Sequence, residues 1–177
     1  AFSFFKRAHE FAPENPSIAA NIGSFFLSIG LPGQADKFYT QAIDRGGLYS
    51  AVSGGPAGDV HRLRATARER LGEADLAVAD ARVWLELEPD TAEAALFLAR
   101  LLISRRSLPE AEREIAVVER IDPAARSLRF TRALLFAARG DKDRALPLLA
   151  EAREDPLFYS YLLSRVYAAC GLKDEAL

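Results

Sequence analysis

The side chains able to do chemistry are few and scattered. The two histidines, His9 and His61, lie 52 residues apart, whereas a structural zinc site needs four clustered nitrogen or sulfur ligands. They are read as surface or groove residues, and no metal is expected. The single cysteine, Cys170, has no histidine near it in sequence, and a nucleophilic thiol needs a base and an electropositive site. It falls at the end of a predicted helix, where the dipole raises a thiol pKa, so it reads as a small packing residue. A glycine-rich stretch, residues 46–57, reads Gly-Gly-Leu-Tyr-Ser-Ala-Val-Ser-Gly-Gly-Pro-Ala. It lacks the Gly-Lys-Ser/Thr ending of a phosphate loop, and no strand precedes it; it reads as a connection. Carboxylates such as Glu112, Glu114, Asp141 and Asp143 interleave with basic residues, as on a solvated helix surface. No isolated acidic pair stands out as acid and base. No catalytic residue and no cofactor are expected.

Composition sets the outer bounds. The chain has 177 residues, of which 50% are hydrophobic and 27% charged, enough for a substantial core. A net charge of -2 leaves no basic excess to neutralise a phosphate backbone, so a nucleic-acid partner is not expected. No apolar run reaches the roughly 18 residues that a membrane span needs, so no membrane insertion is expected.

The elements that position these residues recur. Pro13, Pro89 and Pro123 follow Ala8, Trp84 and Val118 by five residues each, and the last two prolines lie 34 residues apart. On that period the eighth position reads Gly23, Ala65, Ala99, Ala133 and Ser164. The twentieth reads Ala1, Ala35, Ala77, Ala111, Ala145 and Ala176. Between them falls a turn position: Gly30, Gly72, Arg106, Gly140 and Gly171. Small residues are needed where two antiparallel helices touch. Glycine in the turn reaches backbone angles that strain other residues, and proline stops the second helix. The intervening segments have helical periodicity, and none has the alternation of a strand.

This pattern resembles the tetratricopeptide repeat (TPR) family over nearly the whole chain. The best single match is Leu163-Ser164-Arg165-Val166-Tyr167-Ala168-Ala169-Cys170-Gly171-Leu172-Lys173-Asp174-Glu175-Ala176-Leu177. The resemblance implies an all-α, right-handed α-solenoid of antiparallel helix hairpins. One array is expected over 1–177: a partial repeat 1–15, repeats 16–49, 58–91, 92–125 and 126–156, and a partial repeat 157–177, with an insert at 50–57. Three departures stand out. Trp84 replaces a small residue, Pro156 comes one residue early, and the insert breaks the period. Both ends look cut inside the pattern, and a solenoid normally needs polar end repeats. A continuing chain, or homo-oligomers through open ends, is therefore expected.

In the family, first helices line a concave groove that holds a peptide or helix. Carried over by position, the groove residues are Ser24, Arg62, Thr66, Leu96, Arg100, Phe130, Tyr161 and Arg165. Arginines there would pair with carboxylates, and Phe130 and Tyr161 would be apolar anchors. The resemblance thus implies a protein-interaction module or scaffold for an acidic and hydrophobic protein segment. Its alternative is a regulatory or substrate-recruiting segment of a larger enzyme or signalling protein.

Overall fold

A computed structural model describes residues 7, 12–46, 58–125, 127–150 and 164–171. The insert 50–57, Pro156, Tyr161 and the alanines at 1 and 176 lie outside these residues. Among the described residues run, in order, α1 (Pro16–Ser28), α2 (Pro32–Asp44), α3 (Asp59–Leu71), α4 (Ala74–Leu87), α5 (Ala92–Ser104), α6 (Leu108–Ile121), α7 (Leu128–Ala138) and α8 (Lys142–Ala150). Residues 164–169 are also helical. Among the described residues there is no strand. The chain divides into two compact units, Ala1–Asp90 and Thr91–Leu177. In the first unit α1 packs on α2, α3 on α4, and α2 on α3. In the second, α5 pairs with α6 and α7 with α8, while α7 packs against both helices of the preceding hairpin.

The helices begin where the sequence supplies caps. Asn15 accepts a hydrogen bond from the Ser17 amide at 3.0 Å, and Pro16 fills the first turn of α1, where its missing amide costs nothing. Proline likewise opens α2 and α6.

The four hairpins among the described residues turn in the same way. Gly30, Gly72, Arg106 and Gly140 take φ of 77°, 79°, 68° and 81°. The next residue then donates back into the helix: Leu31 to Phe26, Glu73 to Arg68, Ser107 to Leu102 and Asp141 to Phe136, each at 2.9 Å. This satisfies carbonyls that the helix end would otherwise leave unbonded. Arg106 makes the turn at a cost, since a left-handed residue with a Cβ is strained by roughly 1–2 kcal/mol.

The small positions lie at the helix contacts. Ala65, Ala99 and Ala133 on the first helices, and Ala35, Ala77, Ala111 and Ala145 on the second, have no exposed surface. Gly23 packs under Tyr39, and a Cβ there would stand 2.8 Å from the phenol ring. Trp84, the large residue in a small position, is 4% exposed. Room for its indole comes from Gly58, whose hypothetical Cβ would fall 2.6 Å from Trp84 Cδ1 and whose φ is +91°.

Gly58→Ala therefore meets both a backbone and a packing penalty, and is expected to cost about 2–4 kcal/mol in urea unfolding. In a Trp84→Leu background the clash is gone, so part of the cost should vanish. Equal costs in the two backgrounds would show that the glycine does not make room for the indole.

Candidate functional site

A dense cluster of charges sits inside the first unit. On α3, His61, Arg64 and Arg68 are spaced by three and four residues and so share one face. Asp36 and Thr40 are four apart on α2. These faces meet Asp80 of α4, which is 3% exposed. Asp80 accepts from Arg64 Nη2 at 2.7 Å and Nε at 2.9 Å, and from Arg68 Nη1 at 2.9 Å. His61 Nδ1 lies 3.3 Å from its Oδ1. Arg68 Nε donates to Asp36 at 2.7 Å, and Arg64 Nη1 to Thr40 Oγ1 at 3.1 Å. Burial by itself would raise the Asp80 pKa, but the hydrogen bonds from His61 and Arg64 and the two guanidinium charges outweigh it, and the pKa is lowered. His61, expected at the surface or in a groove, is instead buried at 8% exposure. The carboxylate partner is what makes a histidine tolerable there. Nothing in the sequence isolated Asp80; the i, i+3, i+7 spacing of His61, Arg64 and Arg68 was the available signal.

Three expected groove residues belong to this unit. Ser24 donates to the Ala20 carbonyl at 3.1 Å and accepts from the Tyr39 hydroxyl at 3.2 Å. Burial pushes the Tyr39 pKa up to about 12, so the phenol stays a donor. Thr66 donates to the Arg62 carbonyl at 3.0 Å. Arg62 donates through Nε and Nη2 to Asp59 Oδ1 at 3.0 and 2.5 Å. Its guanidinium carbon lies 5.8 Å from the Trp84 ring centroid, within cation–π range. Its side chain is 33% exposed, while that of Asp59 is 3% exposed.

The second unit holds the others. Arg100 is built like Arg62: Nη2 donates to Glu93 at 3.1 Å, and the guanidinium carbon is 5.5 Å from the Phe97 ring centroid. Its Nη1 is buried without a hydrogen-bond partner among the described residues. Arg165 Nη2 donates to Ser104 Oγ, which donates in turn to the Arg100 carbonyl at 3.1 Å. Leu96 and Phe130 are 0% and 2% exposed; they pack within the unit and present no surface for an anchor. Cys170 is 1% exposed, and burial raises its thiol pKa.

A groove of about 310 Å³ runs between α6, α7 and α8, floored by Ile115, Leu135 and Phe136. Its arginines are neutralised: Arg139 pairs with Glu112 at 2.7 Å and Arg132 with Glu119 at 3.2 Å. The hydrogen bond from Arg139 lowers the Glu112 pKa. Among the described residues, no three His, Cys, Asp or Glu side chains lie together as metal ligands would. No described helix is long and apolar enough to cross a membrane.

No family model matches the chain, and no curated protein does. Solved structures do. A tetratricopeptide repeat protein from Parabacteroides merdae superposes with a TM-score of 0.69 at 23% identity, over 97% of this chain and 66% of that one. MamA matches with a TM-score of 0.67 at 17% identity, over 85% of this chain and 83% of its own. YrrB, described as a TPR protein with an unusual peptide-binding site, matches at 0.63 and 17% identity, over 98% and 78%. The chain has the tetratricopeptide-repeat fold.

Removing Asp80 leaves, among the described residues, Arg64 with only the Thr40 hydroxyl and Arg68 with Asp36 alone, both largely enclosed, so Asp80→Ala is expected to cost about 3 kcal/mol at neutral pH. Its folded pKa lies below the ordinary 3.8, so its contribution is complete above that value and is lost as acid carries the pH through the folded pKa. Urea unfolding from neutral pH down to about pH 3 should give a flatter profile for Asp80→Asn than for the wild type. Parallel profiles would remove Asp80 from the acid response.

Proposed function

We propose that the chain is a protein-interaction module that holds a peptide or helix of a partner in a concave groove lined by its first helices. The observation that carries this is the construction of its arginines. Arg62 and Arg100 are each fixed by a carboxylate in the first turn of their own helix, Asp59 or Glu93, and by an aromatic ring. A guanidinium held in this way loses little freedom on binding, and preorganisation of that kind favours affinity. The fold shared with YrrB, a TPR protein with a peptide-binding site, supports the same reading.

Ser24, Thr66, Arg165 and Tyr161 complete the proposed lining. Leu96 and Phe130 act behind it as packing that fixes the helices, because neither has surface to offer. The partner segment is acidic with apolar neighbours, since guanidinium forks match carboxylates. The role proposed is binding rather than catalysis.

The test is affinity capture from source lysate, with mass-spectrometric identification, using wild-type bait and an Arg62→Gln, Arg100→Gln, Arg165→Glu variant whose helicity and Tm are checked first. Glutamine at 62 and 100 avoids a second carboxylate beside Asp59 or Glu93. A partner retained by the wild type should bind the variant at least about tenfold more weakly, roughly 1.4 kcal/mol. The same proteins on both baits with equal affinity would reject the groove.

A further inference from the structure

In the second unit, the C-terminal ends of α5 and α7 and the helical residues 164–169 enclose another cleft of about 310 Å³. Small apolar side chains make its floor: Ala137, Ala138, Ala168 and Ala169, with Leu134 beside them. The guanidiniums of Arg106 and Arg165 line it, and among its described lining residues there is no carboxylate. In the groove between α6, α7 and α8, by contrast, Glu112 and Glu119 are part of the lining beside Arg139 and Arg132.

Arg106 supplies an independent observation. It stands at φ 68°, in the turn position where Gly30, Gly72 and Gly140 stand in the other hairpins. Strain at a position where glycine would serve freely is typical of ligand clamps. Arg106 Nη1 donates to the Ala138 carbonyl at 2.9 Å, one of the carbonyls that the end of α7 leaves unbonded. This contact ties the guanidinium to the cleft wall, and its charge has no carboxylate partner among the described residues. The remaining N–H groups of the planar fork suit two carboxylate oxygens. The alanine floor lets a ligand main chain approach closely, and the volume, at the small end for a binding pocket, suits one side chain with its flanking backbone.

We propose that this cleft binds an aspartate or glutamate side chain within an extended segment of a partner protein, with small apolar residues lying on the alanines. The proposal rests on the reading of the chain as an interaction module and names a recognition element for it.

The test uses the whole chain with ¹³C-labelled alanine methyls, titrated with acetyl-Ala-Ala-Glu-Ala-Ala-amide, its glutamine counterpart and sodium acetate. The glutamate peptide should shift the methyls of Ala137, Ala138, Ala168 and Ala169, saturating with a Kd on the order of 1 mM. The glutamine peptide should bind about tenfold more weakly or worse, as loss of a charged hydrogen bond requires. Arg106→Gly, which relieves the turn, and Arg165→Gln should each weaken the glutamate peptide by a similar factor. Equal binding of both peptides would overturn the carboxylate assignment while leaving an interaction module in place. Acetate as tight as the peptide would overturn recognition of a protein segment. An unshifted set of methyls at millimolar peptide, or Arg106→Gly binding like the wild type, would overturn the proposal, and the capture experiment would then judge the module separately.

Discussion

Two antiparallel helices can lie close together only where the side chains at their contact are small, and this steric constraint organises each hairpin of the chain. Ala65, Ala99 and Ala133 meet it with no exposed surface, and Gly23 meets it by leaving space for the Tyr39 ring. Close helices demand a short reversal, and a short reversal demands a left-handed residue to return the next amide to the helix it has just left. The repeated turn at Gly30, Gly72, Arg106 and Gly140 is the backbone consequence of the same packing. Larger groups then fit only where a neighbour gives way, as Gly58 does for Trp84.

Close packing also excludes water, and that governs the charges. Asp80 is buried among α2, α3 and α4, where an unpaired carboxylate would be strongly disfavoured. It remains ionised because two guanidiniums and a histidine converge on it. The network is directional where apolar packing is not, so it specifies how α3 meets its neighbours. Arg64 and Arg68 are committed to this task, with side chains 13% and 14% exposed. Arg62, on the same helix, is a third exposed and held by a different carboxylate. One helix thus carries arginines enclosed in an interhelical network and one that keeps a third of its side chain exposed.

The same separation appears in the second unit. Arg132 and Arg139 close ion pairs across neighbouring helices, whereas Arg106 has, among the described residues, a carbonyl as its partner. An arginine's role follows from what its fork has left after the fold is satisfied, and residue type alone does not reveal that.

The hairpins, their turns and the small contact positions were legible in the sequence, because they follow from short-range rules: helical periodicity, glycine after a helix, proline at its start, and a 34-residue recurrence. Even the departure at Arg106 was visible as a break in the glycine column, though its left-handed backbone was not. The burial of His61, the pairing of Asp80 with two arginines, and the burial of Leu96, expected in the groove, and of Phe130, expected as an anchor, were decided by the tertiary structure. Burial depends on which helix face meets which neighbour, and a charge's partner lies across helices, 12 to 19 residues away for Asp80. Sequence spacing within a helix fixes the face on which a residue sits; only the packed structure decides whether that face meets water, an opposite charge or another helix.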